Sequence, residues 1–107
     1  MAKNVVITGG TSGIGEAIAR AYLEQGENVV LTGRRTDRLV ALKSEFAETF
    51  PNQTVWTFSL DVMDMTMVKS VCSDILETIG QIDILVNNAG LALGLAPYQD
   101  YEELDML

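Results

Sequence analysis

Residues 4–15 read Asn4-Val5-Val6-Ile7-Thr8-Gly9-Gly10-Thr11-Ser12-Gly13-Ile14-Gly15, a short β-branched run that passes through a glycine-rich turn into a helical pattern. The unbroken apolar stretch Val5-Val6-Ile7 is what a strand buried on both faces requires. Past the turn, Ile14, Ala17, Ile18, Ala21 and Tyr22 recur at helical spacing, which predicts a helix with that inner face, stopped near Gly26. Asn28-Val29-Val30-Leu31-Thr32-Gly33 then repeats Asn4-Val5-Val6-Ile7-Thr8-Gly9 24 residues later. A strand, a helix and a second like strand in so short a span form a βαβ unit, so the two strands are expected to be parallel with a right-handed crossover.

The alternation continues outward from this unit. Thr36 or Asp37 can cap a second helix whose inner face is Leu39, Val40, Leu42, the Lys43 stem and Phe46. Pro51-Asn52 breaks it, and Thr54–Ser59 reads as a third strand from its β-branched and aromatic content. Asp64 or Thr66 caps a third helix with Val68, Val71, Cys72, Ile75 and Ile79 on one stripe and Gly80 after it. Ile82–Asn87 is a fourth strand, residues 88–97 a Gly- and Ala-containing loop, and Tyr101–Leu107 the opening turns of a further helix. Strands alternating with helices define an α/β, doubly wound fold. Trp56 is expected to pack a strand on a helix, Cys72 to serve as a small core residue, and Met63, Met65 and Met67 to fill gaps, with pocket-lining as the alternative for these three.

Each glycine of the first turn has its own task. Gly9 permits the tight reversal, Gly13 lets backbone approach a pyrophosphate, and Gly15 lets the helix sit close on the strand. The unpaired N–H groups at the helix start face such phosphates, helped by the helix dipole, and Thr11 and Ser12 add hydroxyl donors. A merely flexible turn is the bland alternative, but it does not call for strand, loop and helix in this order.

Composition narrows the function. The 107 residues carry 7 basic and 15 acidic side chains, a net charge of −8 that disfavours nucleic-acid binding. The basic residues Lys3, Arg20, Arg34 and Arg35 make residues 1–35 net positive, so an anion site is expected there. No histidine is present, which removes imidazole triads and His-ligated metal from these residues, and one cysteine cannot form an internal disulfide. No apolar run approaches the ~18 residues of a membrane span, and the first residues lack a signal-peptide layout. The expectation is a cytoplasmic-type domain with no membrane and no nucleic-acid partner.

The spacing Thr8-Gly9-x-x-x-Gly13-x-Gly15 resembles the glycine motif of the short-chain dehydrogenase/reductase family. Leu60-Asp61-Val62 after the third strand resembles that family's adenine-contacting Asp-hydrophobic pair, the alternative for Asp61 being a cap of the following turn. Asn87-Asn88-Ala89-Gly90 is similar to its NNAG motif, and Thr32-Gly33-Arg34-Arg35 to the version used for a phosphorylated ribose. The resemblance spans essentially the whole chain in order. It implies a Rossmann-type parallel sheet in strand order 3-2-1-4, truncated after the fourth strand. It also implies a cofactor site built from Gly9, Gly10, Thr11, Ser12, Gly13, Ile14, Gly15, Arg34, Arg35, Asp61, Val62, Asn88, Ala89 and Gly90. Asn87 is expected to tie the fourth strand to the first, and Asn88 both to do this and to contact the ribose.

The end of the second strand selects the cofactor. An acid there would accept from both ribose hydroxyls and select NAD(H). Arg34 and Arg35 instead suit a 2′-phosphate, which favours NADP(H); the alternative is that one of them pairs with Asp37 or Glu16. The family's acid/base groups are a Ser and a Tyr with a Lys four residues on, with a helix Asn. Tyr22, Tyr98 and Tyr101 are followed at that distance by Gly26, Glu102 and Asp105, so no catalytic residue is assigned.

The resemblance therefore implies the N-terminal cofactor-binding part of a homo-oligomeric, NADP(H)-dependent oxidoreductase acting on a small carbonyl or secondary alcohol. Leu91-Ala92-Leu93-Gly94 resembles a subgroup acting on serine-like or 3-hydroxy acids, with 3-oxoacyl reductases as competitors. A non-catalytic NADP(H)-binding or scaffold module is the alternative. The fourth strand is expected to expose a bare edge in a chain of this length, which favours a fragment of a longer single-domain enzyme.

Overall fold

The computed structural model describes residues 1–89 and the backbone of residues 102–105. In chain order the elements are β1 (Asn4–Thr8), α1 (Gly13–Glu24), β2 (Asn28–Gly33), α2 (Thr36–Thr49), β3 (Val55–Ser59), α3 (Met65–Ile79), β4 (Ile84–Asn87) and β5 (Glu102–Asp105). All strand pairs are parallel, in order β3-β2-β1-β4-β5. The expected order 3-2-1-4 is present within this sheet.

Alternation along the strands splits the core into two layers. Val5, Ile7, Val29, Leu31, Ile84 and Val86 face α1 and α2, where Ala19, Leu23, Leu39, Leu42 and Phe46 meet them. Val6, Val30 and Leu85 face α3, where Val68, Val71 and Ile75 cover them, with Trp56 packed alongside. Both faces are buried, which is why the strands carry no polar alternation.

Four details differ from the sequence reading. Residues 102–105 form a fifth strand rather than the start of a helix, with Ile84 opposite Glu102 and Asn87 opposite Asp105. The β4 edge is therefore paired, not bare, and the sheet does not stop at four strands. A helix of so few residues is not self-supporting, whereas a row of unpaired backbone groups on β4 offers a full ladder.

Secondly, α1 turns Gly15, Ala19 and Leu23 inward, with Ile18 and Tyr22 half-buried, while Ile14, Ala17 and Ala21 are exposed. Gly15 sets this rotation because it must lie against the β1 turn. Thirdly, α2 has no side-chain cap: Arg35 occupies the cap position, and the Thr36 hydroxyl donates across to Ser59 Oγ at 3.3 Å. Val40 lies on its outer face, 63% exposed. Finally, Met63 and Met65 are exposed instead of filling core gaps, and Met67 alone of the three packs on the α3 layer.

The repeated asparagines Asn4 and Asn28 have a structural explanation. Asn28 Nδ2 donates to Asn4 Oδ1 at 3.4 Å, and Asn28 Oδ1 accepts from Thr54 N at 2.8 Å. Asn4 Nδ2 donates to Gln81 O, and Asn4 N donates to Asp83 Oδ2 at 2.8 Å. One polar chain thus stitches the lower ends of β3, β2, β1 and β4, fixing the register that aligns their upper ends. Asn28→Ala should lower stability by about 1–2 kcal/mol, seen as a lower urea midpoint at unchanged slope.

Candidate functional site

The upper ends of β1, β2, β3 and β4 converge on a cleft of about 480 Å³ lined by Gly9, Thr11, Ser12, Thr32, Gly33, Arg34, Arg35, Leu60, Asp61, Val62, Met63 and Ala89. This is the crevice outside the carboxyl ends of the strands, where α/β sheets bind ligands. Its walls come from the three turns that follow β1, β2 and β3 and from the end of β4.

Gly9 adopts φ +67, the left-handed conformation that a side chain would resist, and so reverses the chain after β1. A Cβ on Gly15 would collide with the Gly9 carbonyl oxygen and stand 2.9 Å from Gly10 Cα. The helix start is therefore seated directly on the turn. A Cβ on Gly13 would meet nothing within 4 Å, so the space beside it is open to an approaching ligand. Gly10 packs inward, where a Cβ would lie 2.9 Å from Leu31 Cδ2, and its N–H donates to Thr32 O at 2.9 Å.

Ser12 does not supply a free hydroxyl. Its Oγ donates to Gly9 O at 3.0 Å and accepts from Gly15 N at 3.0 Å and Asn88 Nδ2 at 2.9 Å. A hydroxyl has one donor and two acceptor sites, so this one is saturated as the cap of α1. The Thr11 hydroxyl has no partner among the described residues, nor do the N–H groups of Thr11, Gly13 and Ile14. Helix geometry aims the first-turn amides outward from the N-terminus, into the region of positive dipole potential. Three bare donors beside an open glycine suit an anion the size of a diphosphate.

The β4 end locks this loop in place. Thr8 Oγ1 donates to Asn87 Oδ1 at 3.2 Å and accepts from Ala89 N at 3.2 Å. Asn88 Nδ2 donates to Gly9 O at 3.1 Å as well as to Ser12 Oγ. Asn87, 2% exposed, is thus a structural tie, and Asn88 holds the loop from outside. Gly90, Leu91–Gly94, Tyr98 and Tyr101 lie outside the described residues.

At the other end of the cleft, Asp61 Oδ1 accepts from Met63 N at 3.0 Å, and Asp61 O accepts from Asp64 N at 2.9 Å. This tight turn displays Leu60, Val62 and Met63 toward the cleft as an apolar wall. Arg34 and Arg35 stand exposed at its mouth. Neither pairs with Asp37 or Glu16: Glu16 is taken by Arg38 at 2.6 Å and Arg20 at 3.8 Å, and no ion pair of Arg34 or Arg35 exists among the described residues. Two guanidiniums without an acidic partner among the described residues make this end strongly attractive to phosphate.

Thr32, Gly33, Leu60 and Met63 are cleft residues that the motif reading did not select. The signal for Thr32, Gly33 and Leu60 was their place within the quoted motifs, beside the residues taken as contacts; for Met63 it was the methionine cluster at the helix start, for which pocket-lining is the alternative to gap-filling. Gly13, Ile14, Gly15, Gly10 and Asn88 do not line the cleft itself but support or flank it. Burial pushes the Cys72 thiol up, so on α3 it stays protonated near neutrality and offers no nucleophile. Among the described residues no cluster of His, Cys, Asp or Glu could hold a metal, and no helix is long and apolar enough to cross a membrane.

Comparison with known proteins agrees with this geometry. The short chain dehydrogenase family profile matches residues 3–106. The NADP-dependent 3-hydroxy acid dehydrogenase YdfG of Salmonella typhi is 46% identical over 93 residues, covering 87% of this chain and 36% of that protein. Serine 3-dehydrogenase of Agrobacterium fabrum is 41% identical over 97 residues, covering 91% and 37%. Among solved structures, L-sorbose reductase of Gluconobacter frateurii with NADPH and L-sorbose aligns at TM-score 0.77 and 39% identity, covering 84% of this chain and 34% of that one. The chain thus spans little more than a third of the length of these relatives.

The two helix glycines should behave oppositely on substitution. Gly15→Ala forces α1 off the β1 turn and should cost about 2–4 kcal/mol, as overpacked or strained sites do. Gly13→Ala should leave stability unchanged or raise it by up to about 1 kcal/mol, since alanine is the better helix former. Thermal unfolding of both variants reads the contrast.

Proposed function

The chain belongs to the short chain dehydrogenase family, and from that premise we propose that it is the cofactor-binding portion of a longer NADP(H)-dependent oxidoreductase. The intact enzyme transfers a hydride between the nicotinamide and a small carbonyl or secondary alcohol, of the 3-hydroxy acid or 3-oxoacyl type. The observation that carries this reading is that three amides, at Thr11, Gly13 and Ile14, and two guanidiniums, at Arg34 and Arg35, have no partner among the described residues.

In this proposal the amides and the Thr11 hydroxyl hold the pyrophosphate, and Arg34 and Arg35 hold the 2′-phosphate. Gly9, Gly10, Ser12, Gly15 and Asn88 keep the loop in shape. Asp61 and Val62 take the adenine, Ile14 and Ala89 flank the path toward the ribose and nicotinamide, and Gly90 joins the cofactor-binding set through its motif. When bound, the nicotinamide supplies or accepts the hydride. The residues described here bind and orient it but offer no tyrosine–lysine pair to move the accompanying proton. Similarity to 3-hydroxy acid and serine dehydrogenases supports the substrate class. Homo-oligomeric assembly and cytoplasmic residence of the intact enzyme belong to the same proposal.

Arg34→Ala with Arg35→Ala should weaken NADP(H) binding by about 1–3 kcal/mol per lost charged contact and spare NAD(H), measured by calorimetric titration of each cofactor. Equal losses for both cofactors would make the arginines structural. Gly13→Val should abolish binding of both cofactors, because its side chain would occupy the space of the pyrophosphate. The 107-residue chain itself should bind NADP(H) without turnover of 3-hydroxy acids, and measurable hydride transfer by it would overturn the assignment of no catalytic residue.

A further inference from the structure

Thr8 and Thr32 hold corresponding places in the repeat Asn-Val-Val-(Ile/Leu)-Thr-Gly, one at the end of β1 and the other near the end of β2. Their hydroxyls differ sharply. Thr8 Oγ1 is satisfied between Asn87 and Ala89. Thr32, 1% exposed, carries the one buried side-chain polar atom among the described residues that has no hydrogen-bond partner. Its backbone carbonyl is committed to Gly10 N, so the orphan is the side chain alone.

Nothing in the packing asks for a hydroxyl here. Thr32 shares its sheet face with Val30 and stands opposite Phe58 across the β2–β3 ladder, so a valine of the same shape would fill the position. A buried hydroxyl without a partner costs stability, and such groups are rare enough to call for a reason. Thr32 also lines the cleft, together with Arg34, Arg35 and the Leu60–Met63 turn.

We propose that Thr32 is a ligand-contacting residue whose hydroxyl bonds the adenosine portion of the bound dinucleotide, the part that NAD(H) and NADP(H) share. This rests on the dinucleotide reading above and assigns it a contact beyond those given to the motif glycines and to Arg34 and Arg35. A threonine hydroxyl both donates and accepts, so it serves either a sugar hydroxyl or a ring nitrogen. The unpartnered hydroxyl is then the cost of a bond made on binding.

The test is Thr32→Val in this chain, with thermal unfolding and calorimetric titration of NADP⁺ and NAD⁺ as the readouts. The expected result is an unchanged or raised Tm together with roughly five- to tenfold weaker binding of both cofactors, the size of one lost hydrogen bond. Thr32→Ser, which keeps the hydroxyl, should bind like the parent. Unchanged affinity in Thr32→Val, or a loss confined to NADP⁺, overturns the assignment. So does a fall in Tm, because that shows the hydroxyl already partnered without ligand. Preference of the parent chain for NAD⁺ would sink the NADP reading while leaving the Thr32 effect readable on NAD⁺. A parent chain that binds neither overturns both.

Discussion

The first turn of α1 rests on the Gly9 carbonyl with no side chain between them, and the site depends on that contact. Any Cβ at residue 15 would push the helix start away from β1. With it gone, the amides of Thr11, Gly13 and Ile14 would no longer stand beside the strand ends where the cleft opens. Ser12 and Asn88 reinforce the same seat: one caps the helix and clasps Gly9, the other reaches over from β4 to both. The loop that looks like the most pliable part of the sequence is thus among its most constrained.

Electrostatics completes the arrangement. The chain is acidic overall, yet the arginines at the cleft mouth meet no acid among the described residues, and Glu16 is already engaged by Arg38 and Arg20. That triad joins α1 to α2, with Arg20 also reaching Glu45 and lying 5.2 Å above the Phe46 ring. Half-exposed pairs of this kind add little stability individually. Their consequence here is to remove the acid that could otherwise have paired with Arg34 or Arg35.

Much of this was legible in the chain. The repeated strand motif, the glycine spacing and the apolar stripes state the βαβ order, and the four strands appear where their β-branched runs place them. Other features were not legible, for identifiable reasons. The facing of α1 shifted because Gly15, which contributes nothing to an apolar stripe, sets the helix rotation. The strand at Glu102–Asp105 depends on the unpaired edge of β4, a partner distant in sequence. Ser12 reads as a free hydroxyl until the positions of Gly9, Gly15 and Asn88 around it are known.

The sequence alone therefore determined the parallel α/β order, the family pattern of glycines and the presence of two arginines after β2, because these follow from short-range periodicity and local chain stereochemistry. Tertiary structure decided which donors remain free. Thr8 and Thr32 occupy equivalent positions in the repeat, yet Thr8 meets Asn87 from a neighbouring strand while the Thr32 hydroxyl finds no partner among the described residues. Hydrogen-bond satisfaction is a property of what the fold brings alongside a group, and no local pattern encodes it.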